Sequence, residues 1–473
     1  MPTLPQSTKD IKDLKSVDVL NSIRGEMDSE YQELVPKALK IGETYNGKSV
    51  TRADGTARLR EIGDVLTVYP NLMNSFVSAL VNRIAKVIIT SKLYKNPWSS
   101  FKKGMIEYGE TIEEIFVGIA TPYQFDPQKA EQEVFKRRNP DIKSAFHAMN
   151  YQKFYPTTVT NAELRQAFLS YEGVTDLINR IIEQVYTGAN YDEFLVMKYL
   201  IAKVALNGGI YPVHIDTVTA ENARTVTSQM VAQAKKLEFM TKDYNEAGVP
   251  TYTDRSKLYM ILTTDIQSIF DVEVLALSFN MSKAELLGRQ VSIDGFGVFD
   301  DDRLKALFSD DPNFIYVPFT SQEKQSLSKI AGLMVDEDWF MIFDNLTEIS
   351  EIYNPQGLYW NYFYHVWKTL SVSPFSNAVL FTEEIPTVSS VTISPKPVTV
   401  KKGQQVKFTA TVKTVGMARK TVHWEVSGGG QSTISEEGVL TVGGNEPLST
   451  LTVTATSIFT PSVKDTCTVT VQA

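Results

Sequence analysis

Apolar residues recur along this chain with two different periods, and the change from one to the other divides it. From Asn71 to Thr90 the positions Leu72, Phe76, Leu80, Ile84 and Val87 return every three or four residues, which predicts a one-sided helix ending before Asn96-Pro97. Residues 161–207 carry the strongest helical pattern. Thr160 and Glu163 are spaced as a capping box, Val174, Leu177, Ile178, Ile181, Ile182 and Val185 form one stripe, and Phe194, Met197, Leu200, Ile201 and Val204 form a second. Thr187-Gly188-Ala189-Asn190 is expected to kink or divide this helix, and Asn207-Gly208-Gly209 to stop it. Phe101 to Phe116 mixes charges, two glycines and β-favouring residues, which predicts a solvated hairpin whose edges seek another chain. Further on, Lys257 to Leu262 reads as strand, Ile266 to Met281 as helix and Trp339 to Asn345 as strand, while residues 1–70 read as an arm, partly helical and partly extended. The sum is α+β, without the regular alternation of a doubly wound sheet.

After Pro386 the period falls to two. Val391–Pro395, Val406–Val412, Val422–Val426, Gly438–Val442, Leu451–Thr456 and Thr466–Val471 are six alternating segments at turn-punctuated spacing, which predicts an all-β sandwich over 387–473. Val406, Phe408, Ala410 and Val412 fall on one face, as do Leu451, Val453 and Ala455, so these point inward and Trp424 fills the centre. Cys467 shares the inward parity of Val469 and Val471 and is expected to be a buried, inert thiol.

At 473 residues the chain is long enough for two or three domains, and its 43% apolar and 22% charged composition is that of a folded protein. The uncharged run Ile352–Trp367 is short for a bilayer span and contains Pro, Gly and Asn, so no membrane is expected. The start, Met1-Pro2-Thr3-Leu4, has neither a basic nor an apolar signal region, which places synthesis and assembly in a cytoplasm. One cysteine excludes a disulfide framework, and four scattered histidines (His147, His214, His365, His423) do not favour metal chemistry. Residues 387–473 hold 8 Lys and Arg against 5 Asp and Glu, leaving the larger part acidic by 11 charges. That sign is wrong for a protein that grips nucleic acid along a basic channel.

Three constellations invite chemistry. Asp300-Asp301-Asp302 with Asp310-Asp311 could hold a hard cation, but the run lacks alternating ligand spacing and reads better as a solvated acidic loop. Asp336-Glu337-Asp338 with Asp344 could supply paired carboxylates to a cell-wall hydrolase, although spacing alone does not make two carboxylates converge. The aromatic run Tyr359–Trp367 could stack bases or sugars, but core packing explains it better, with His365 a satisfied core histidine. No nucleophile elbow or P-loop is present, so no catalytic, cofactor-binding or metal-binding residue is assigned.

Several segments taken together resemble the phi29-like phage major capsid (head) protein family. They are Asp338-Trp339-Phe340-Met341 and Asp344-Asn345-Leu346; Asn354-Pro355-Gln356-Gly357-Leu358-Tyr359-Trp360-Asn361-Tyr362-Phe363-Tyr364-His365-Val366-Trp367; Thr369–Ser373; Gly109-Glu110-Thr111-Ile112-Glu113-Glu114-Ile115; Phe146-His147 to Phe154-Tyr155; Ala167–Ser170; and Asp271–Leu275 with Phe279-Asn280-Met281. The resemblance covers most of 70–385, and 387–473 resembles the bacterial Ig-like group-2 domain that the family also carries; residues 40–62 look inserted. It implies a Hong Kong 97-type capsid fold: an N-terminal arm (1–70), then a capsid domain (71–385) with an extended loop at about 98–120, a peripheral domain with its spine helix within 161–207, and an axial domain. It also implies copies assembled as hexamers and pentamers into an icosahedral or prolate shell, with scaffolding and portal proteins as assembly partners and double-stranded DNA inside, but no cofactor. The Ig-like domain would stand on the shell, where host cell-wall contact is a second role for it.

Overall fold

The structure, a computed structural model, describes residues 16–27, 29–69, 72–73, 75–76, 79, 96–107, 111–126, 135–169, 173–273, 289–309, 311, 314–428 and 430–472. The expected helix over 71–90 lies mostly outside these, with Leu72, Met73 and Phe76 helical and buried. The chain forms two compact units, one from residues 1–111, 148–194 and 342–370, the other from 112–147, 195–341 and 371–473.

In the first unit the described part of the N-terminal stretch, residues 16–69, is largely helical. Helices Ser16–Glu26, Ser29–Leu34 and Arg52–Val68 flank a small hairpin of β1 (Thr44–Tyr45) and β2 (Lys48–Ser49). Residues 40–62, which looked inserted, contribute to the third helix, whose Leu59, Ile62 and Leu66 are buried. A four-stranded sheet follows in the order β3 (Lys102–Met105), β11 (Phe340–Asn354), β12 (Tyr359–Val372), β6 (Tyr151–Thr160). The aromatic run lies on β12, in register with β6 from Tyr359↔Thr160 to Lys368↔Tyr151. Alternation buries Trp360, Tyr362, Tyr364 and Val366 on one face. His365 has the opposite parity and is half-buried, bonded to Ser350 Oγ at 3.2 Å and beside the Phe154 ring, so it is not a core histidine.

The predicted capping box is present: Thr160 Oγ1 accepts from the Glu163 N–H and the Glu163 carboxylate accepts from the Thr160 N–H, opening helix Asn161–Ala167. That helix ends at Ala167, and Gly173–Leu206 is one helix of 34 residues, undivided at the expected 187–190. Gly188 costs a helix interior only about 1 kcal/mol. The apolar register continues past it through buried Ala189, and Asn190 Nδ2 donates to Tyr186 O within the helix at 2.9 Å.

The second unit is centred on a five-stranded mixed sheet in the order β7 (Tyr211–His214), β13 (Ala378–Thr382), β10 (Ile330–Asp336), β8 (Leu258–Thr263), β9 (Arg289–Ile293). Every residue of β10 and β13 is buried, as a central strand covered on both faces requires. Helices Ala223–Leu237 and Thr264–Glu273 supply Val226, Met230, Leu237 and Phe270 to that core. The part of the expected helix from 274 to Met281 lies outside the described residues. After a short connection at 383–386 the same unit carries the predicted all-β domain, with sheets β14 (Thr387–Ser394)–β17 (Thr409–Val415), β15 (Val398–Lys401)–β22 (Lys464–Gln472)–β21 (Thr450–Ser457)–β18 (Val422–Ser427), and β16 (Gln405–Lys407)–β20 (Val439–Thr441)–β19 (Thr433–Ile434). Phe408, Val412, Trp424, Leu451, Val453, Ala455, Cys467, Val469 and Val471 form its core, and burial pushes the Cys467 thiol up.

Candidate assembly surface

Phe101–Phe116 does not fold on itself as a hairpin. Its first part is β3, paired in parallel with β11 at Lys102↔Ile342, and its second part, β4 (Ile112–Val117), pairs antiparallel with β5 (Ile142–His147) as an isolated two-stranded ribbon. Strand alternation gives the ribbon two unlike faces. Ile112, Glu114, Phe116, Lys143, Ala145 and His147 share the inner face, while Ile115, Val117, Ile142 and Phe146 lie on the outer face and are 56–66% exposed. The connecting segment extends this display with Ile119, Tyr123 and Phe125, the last 89% exposed. Glu113 and Ser144 share that outer face and are exposed with them, and large apolar side chains this exposed are a feature of interaction surfaces.

The inner face is tied down by polar side chains. Ser373 Oγ donates to Glu114 Oε1 at 2.7 Å, His147 Nε2 lies 3.2 Å from Glu114 Oε2, and Ser371 Oγ lies 2.7 Å from His147 Nδ1. A carboxylate oxygen accepts, so Nε2 is the imidazole nitrogen that donates to Glu114, and the Ser371 hydroxyl pairs with Nδ1. Phe116 stacks on Phe375 with ring centres 5.9 Å apart. Serine, histidine and glutamate in a row are the partners of a hydrolytic triad, yet here His147 is only 5% exposed and wedged between its two partners. The constellation was invisible in sequence because 33 and 224 residues separate its members. Its arrangement anchors the ribbon.

A second polar cluster fixes the sheet of the first unit. Glu193, fully buried, accepts from Asn96 Nδ2 at 2.8 Å, pairs with Lys102 Nζ at 3.0 Å, and also bonds Lys368, whose Nζ reaches Asp344 at 2.6 Å. Burial pushes the Lys368 ammonium down, but Glu193 and Asp344 outweigh it and hold it above its ordinary range. Burial raises Asp344, and Lys368 with Lys102 overcomes that to hold it below the usual carboxylate range. Beside them Tyr155 donates to buried Asp192 at 2.8 Å. Buried charges of this kind are tolerated only when paired and hydrogen-bonded.

The sequence candidates for chemistry resolve into structural roles. Asp300 caps helix Asp301–Leu307, Asp301 binds Tyr316 and Lys324, and Asp310 lies outside the described residues. Among the described residues no group of three or more His, Cys, Asp or Glu could hold a metal ion. Asp336 caps the turn Glu337–Trp339, Asp338 pairs with Lys257 at 3.4 Å, and Asp344 serves the Lys368 cluster.

Comparison with known proteins adds the remaining observations. A family model described as the Phi29-like phage major capsid protein matches residues 20–382, and one described as a bacterial Ig-like domain (group 2) matches residues 387–469. The major capsid proteins of Bacillus phages PZA and B103 are each 35% identical, with 93% of this chain and 90% of each relative covered. The major capsid protein of Streptococcus phage Cp-1 is 24% identical over 77% of this chain and 94% of its own length. The solved capsid of Staphylococcus phage Andhra is similar with a TM-score of 0.46 at 17% identity, over 62% of this chain and 86% of that one.

Proposed function

The chain belongs to the phi29-like phage major capsid protein family, whose members build the head shell of the virion and are not enzymes, and on that premise we propose that the β4–β5 ribbon is its main contact with neighbouring copies. In this reading the subunit has the Hong Kong 97-type fold, with Gly173–Leu206 as the spine helix expected within 161–207 and the extended loop expected at about 98–120 including strand β4 of the ribbon, and its copies associate as hexamers and pentamers. The observation that carries the proposal is the unlike treatment of the two ribbon faces: an inner face anchored through Glu114, His147 and Phe116, and an outer face whose Ile115, Val117, Ile142 and Phe146 are left to solvent in the single chain. Strand edges and apolar side chains in one projecting element supply both main-chain hydrogen bonds and buried area to a neighbour.

Scaffolding and portal proteins are the proposed partners during assembly, and the shell encloses double-stranded DNA, whose release is eased by an acidic body that holds phosphates weakly. The Ig-like domain stands on the shell, where its net charge of +3 favours weak contact with anionic cell-wall polymer. Unchanged phage adsorption after its removal would dismiss that last role. The assembly reading is tested by electron microscopy of the protein expressed with its scaffolding partner. Closed shells from the natural chain and none from Phe146→Asp, with unchanged circular dichroism, are expected; normal shells from the variant would overturn the ribbon's role.

A further inference from the structure

The Ig-like domain is not merely appended to the unit that carries it. The turn between β17 and β18 places Gly416 and Met417 at φ of 63° and 60°, and Met417 in the left-handed region carries strain that a glycine would not. The turn delivers Arg419, only 6% exposed, onto the loop at 238–252. Arg419 Nη1 donates to Asp243 O at 2.6 Å and Nη2 to Asn245 O at 2.5 Å, while Lys420 Nζ donates to Leu206 O at 3.0 Å. Backbones approach closely here: a Cβ on Gly208 would lie 2.8 Å from Ala418 O. Phe459 of the domain packs on Tyr211 at 5.9 Å.

The receiving loop is itself stiff. Asn245 closes it through Val249 by two hydrogen bonds of 2.6 and 2.8 Å, and Tyr244 O and Ala247 N bond to Ala378 and Pro374 at 2.8 and 2.9 Å. The same loop also holds the ribbon, because Lys143 on β5 donates to Ala247 O at 3.3 Å and lies 3.9 Å from Glu436 of the Ig-like domain. A buried guanidinium that keeps its charge anchors one side of the loop and a ribbon lysine the other.

We infer that the Ig-like domain is an in-chain brace that holds the 238–252 loop and, through Lys143, fixes the direction of the β4–β5 ribbon, with Arg419 and Lys143 as positioning residues. This goes beyond any outward contact the domain makes, and it assigns its 416–420 face to its own chain.

Hydrogen exchange of the full-length chain, read by mass spectrometry on peptides, tests it. Arg419→Ala should speed exchange about tenfold or more in both 238–252 and 142–147, since losing about 1.4 kcal/mol of local stability gives a factor of ten. Lys143→Ala should speed only the ribbon. Cys467 reports whether the sandwich itself survives, because its buried thiol should stay inert to thiol reagents in both variants. If Arg419→Ala frees the loop and the ribbon stays protected, or if only Lys143→Ala loosens the ribbon, the brace is overturned. Should Cys467 become reactive in Arg419→Ala, Lys420→Ala with Phe459→Ala makes the same measurement from other contacts, and an unchanged ribbon there overturns the inference. Shell formation is scored separately by microscopy, so failure of the assembly reading and failure of the brace are told apart.

Discussion

At the scale of single residues, the polar interior is where the chain is most exposed to damage. Replacing Lys368 by Met leaves buried Glu193 and partly buried Asp344 with only Lys102 as cation. The expected loss is roughly 3 kcal/mol, the lower end of what breaking a buried pair costs. A shift of the denaturant midpoint at unchanged slope would measure it. The sign of the acid response follows from Asp344. Its folded-state carboxyl is held below the ordinary range, so its contribution is complete above about pH 4 and fades as pH falls through the lowered value. Thermal midpoints recorded from pH 7 to 3 should therefore drop at the acid end, and drop less steeply in Lys368→Met. Trp424 and Cys467 were legible in the sequence because parity along one strand decides their burial. The Glu193–Lys368 pair was not, since 175 residues lie between the partners. One signal existed: Glu193 occupies the buried register Val185, Ala189, Met197, Ile201, where a charge needs a partner.

Elements divide by whether their determinants are local. The box at Thr160 is a four-residue device, legible and present, and Thr160→Ala should cost about 1 kcal/mol. A chemical denaturation curve checks this, and an unchanged midpoint would mean the short helix is held by Leu164 and Phe168 packing alone. The ribbon was misread for the opposite reason. Residues 102–105 and 112–117 both favour extended backbone, but strand propensity does not name the partner. One pairs with Ile342 and its neighbours, the other with 142–147, and neither pairs with its sequence neighbour. The undivided long helix shows the limit of glycine as punctuation when the apolar register runs through it.

For the whole molecule, the change of hydrophobic period at Pro386 coincides with the start of the Ig-like strands at Thr387, because a sandwich and a helix-covered sheet impose different patterns on every residue they contain. The docking of the two was beyond reach, since Arg419 reads as one more surface cation until Asp243 and Asn245 stand beside it. Deleting 387–473 should leave the five-stranded sheet folded but bare Tyr211 and the carbonyls that Arg419 satisfies, lowering the melting temperature by several degrees. Calorimetry of the truncated and full chains would decide it, and equal temperatures would mean that the docked face adds nothing to stability.

The outer stripe of the ribbon also bears on the economy of the infected cell. A subunit that shows Ile115, Val117, Ile142 and Phe146 to water has a solubility ceiling as long as it is alone. Above that ceiling the exposed side chains favour disordered association of free chains, which light scattering across a concentration series would register.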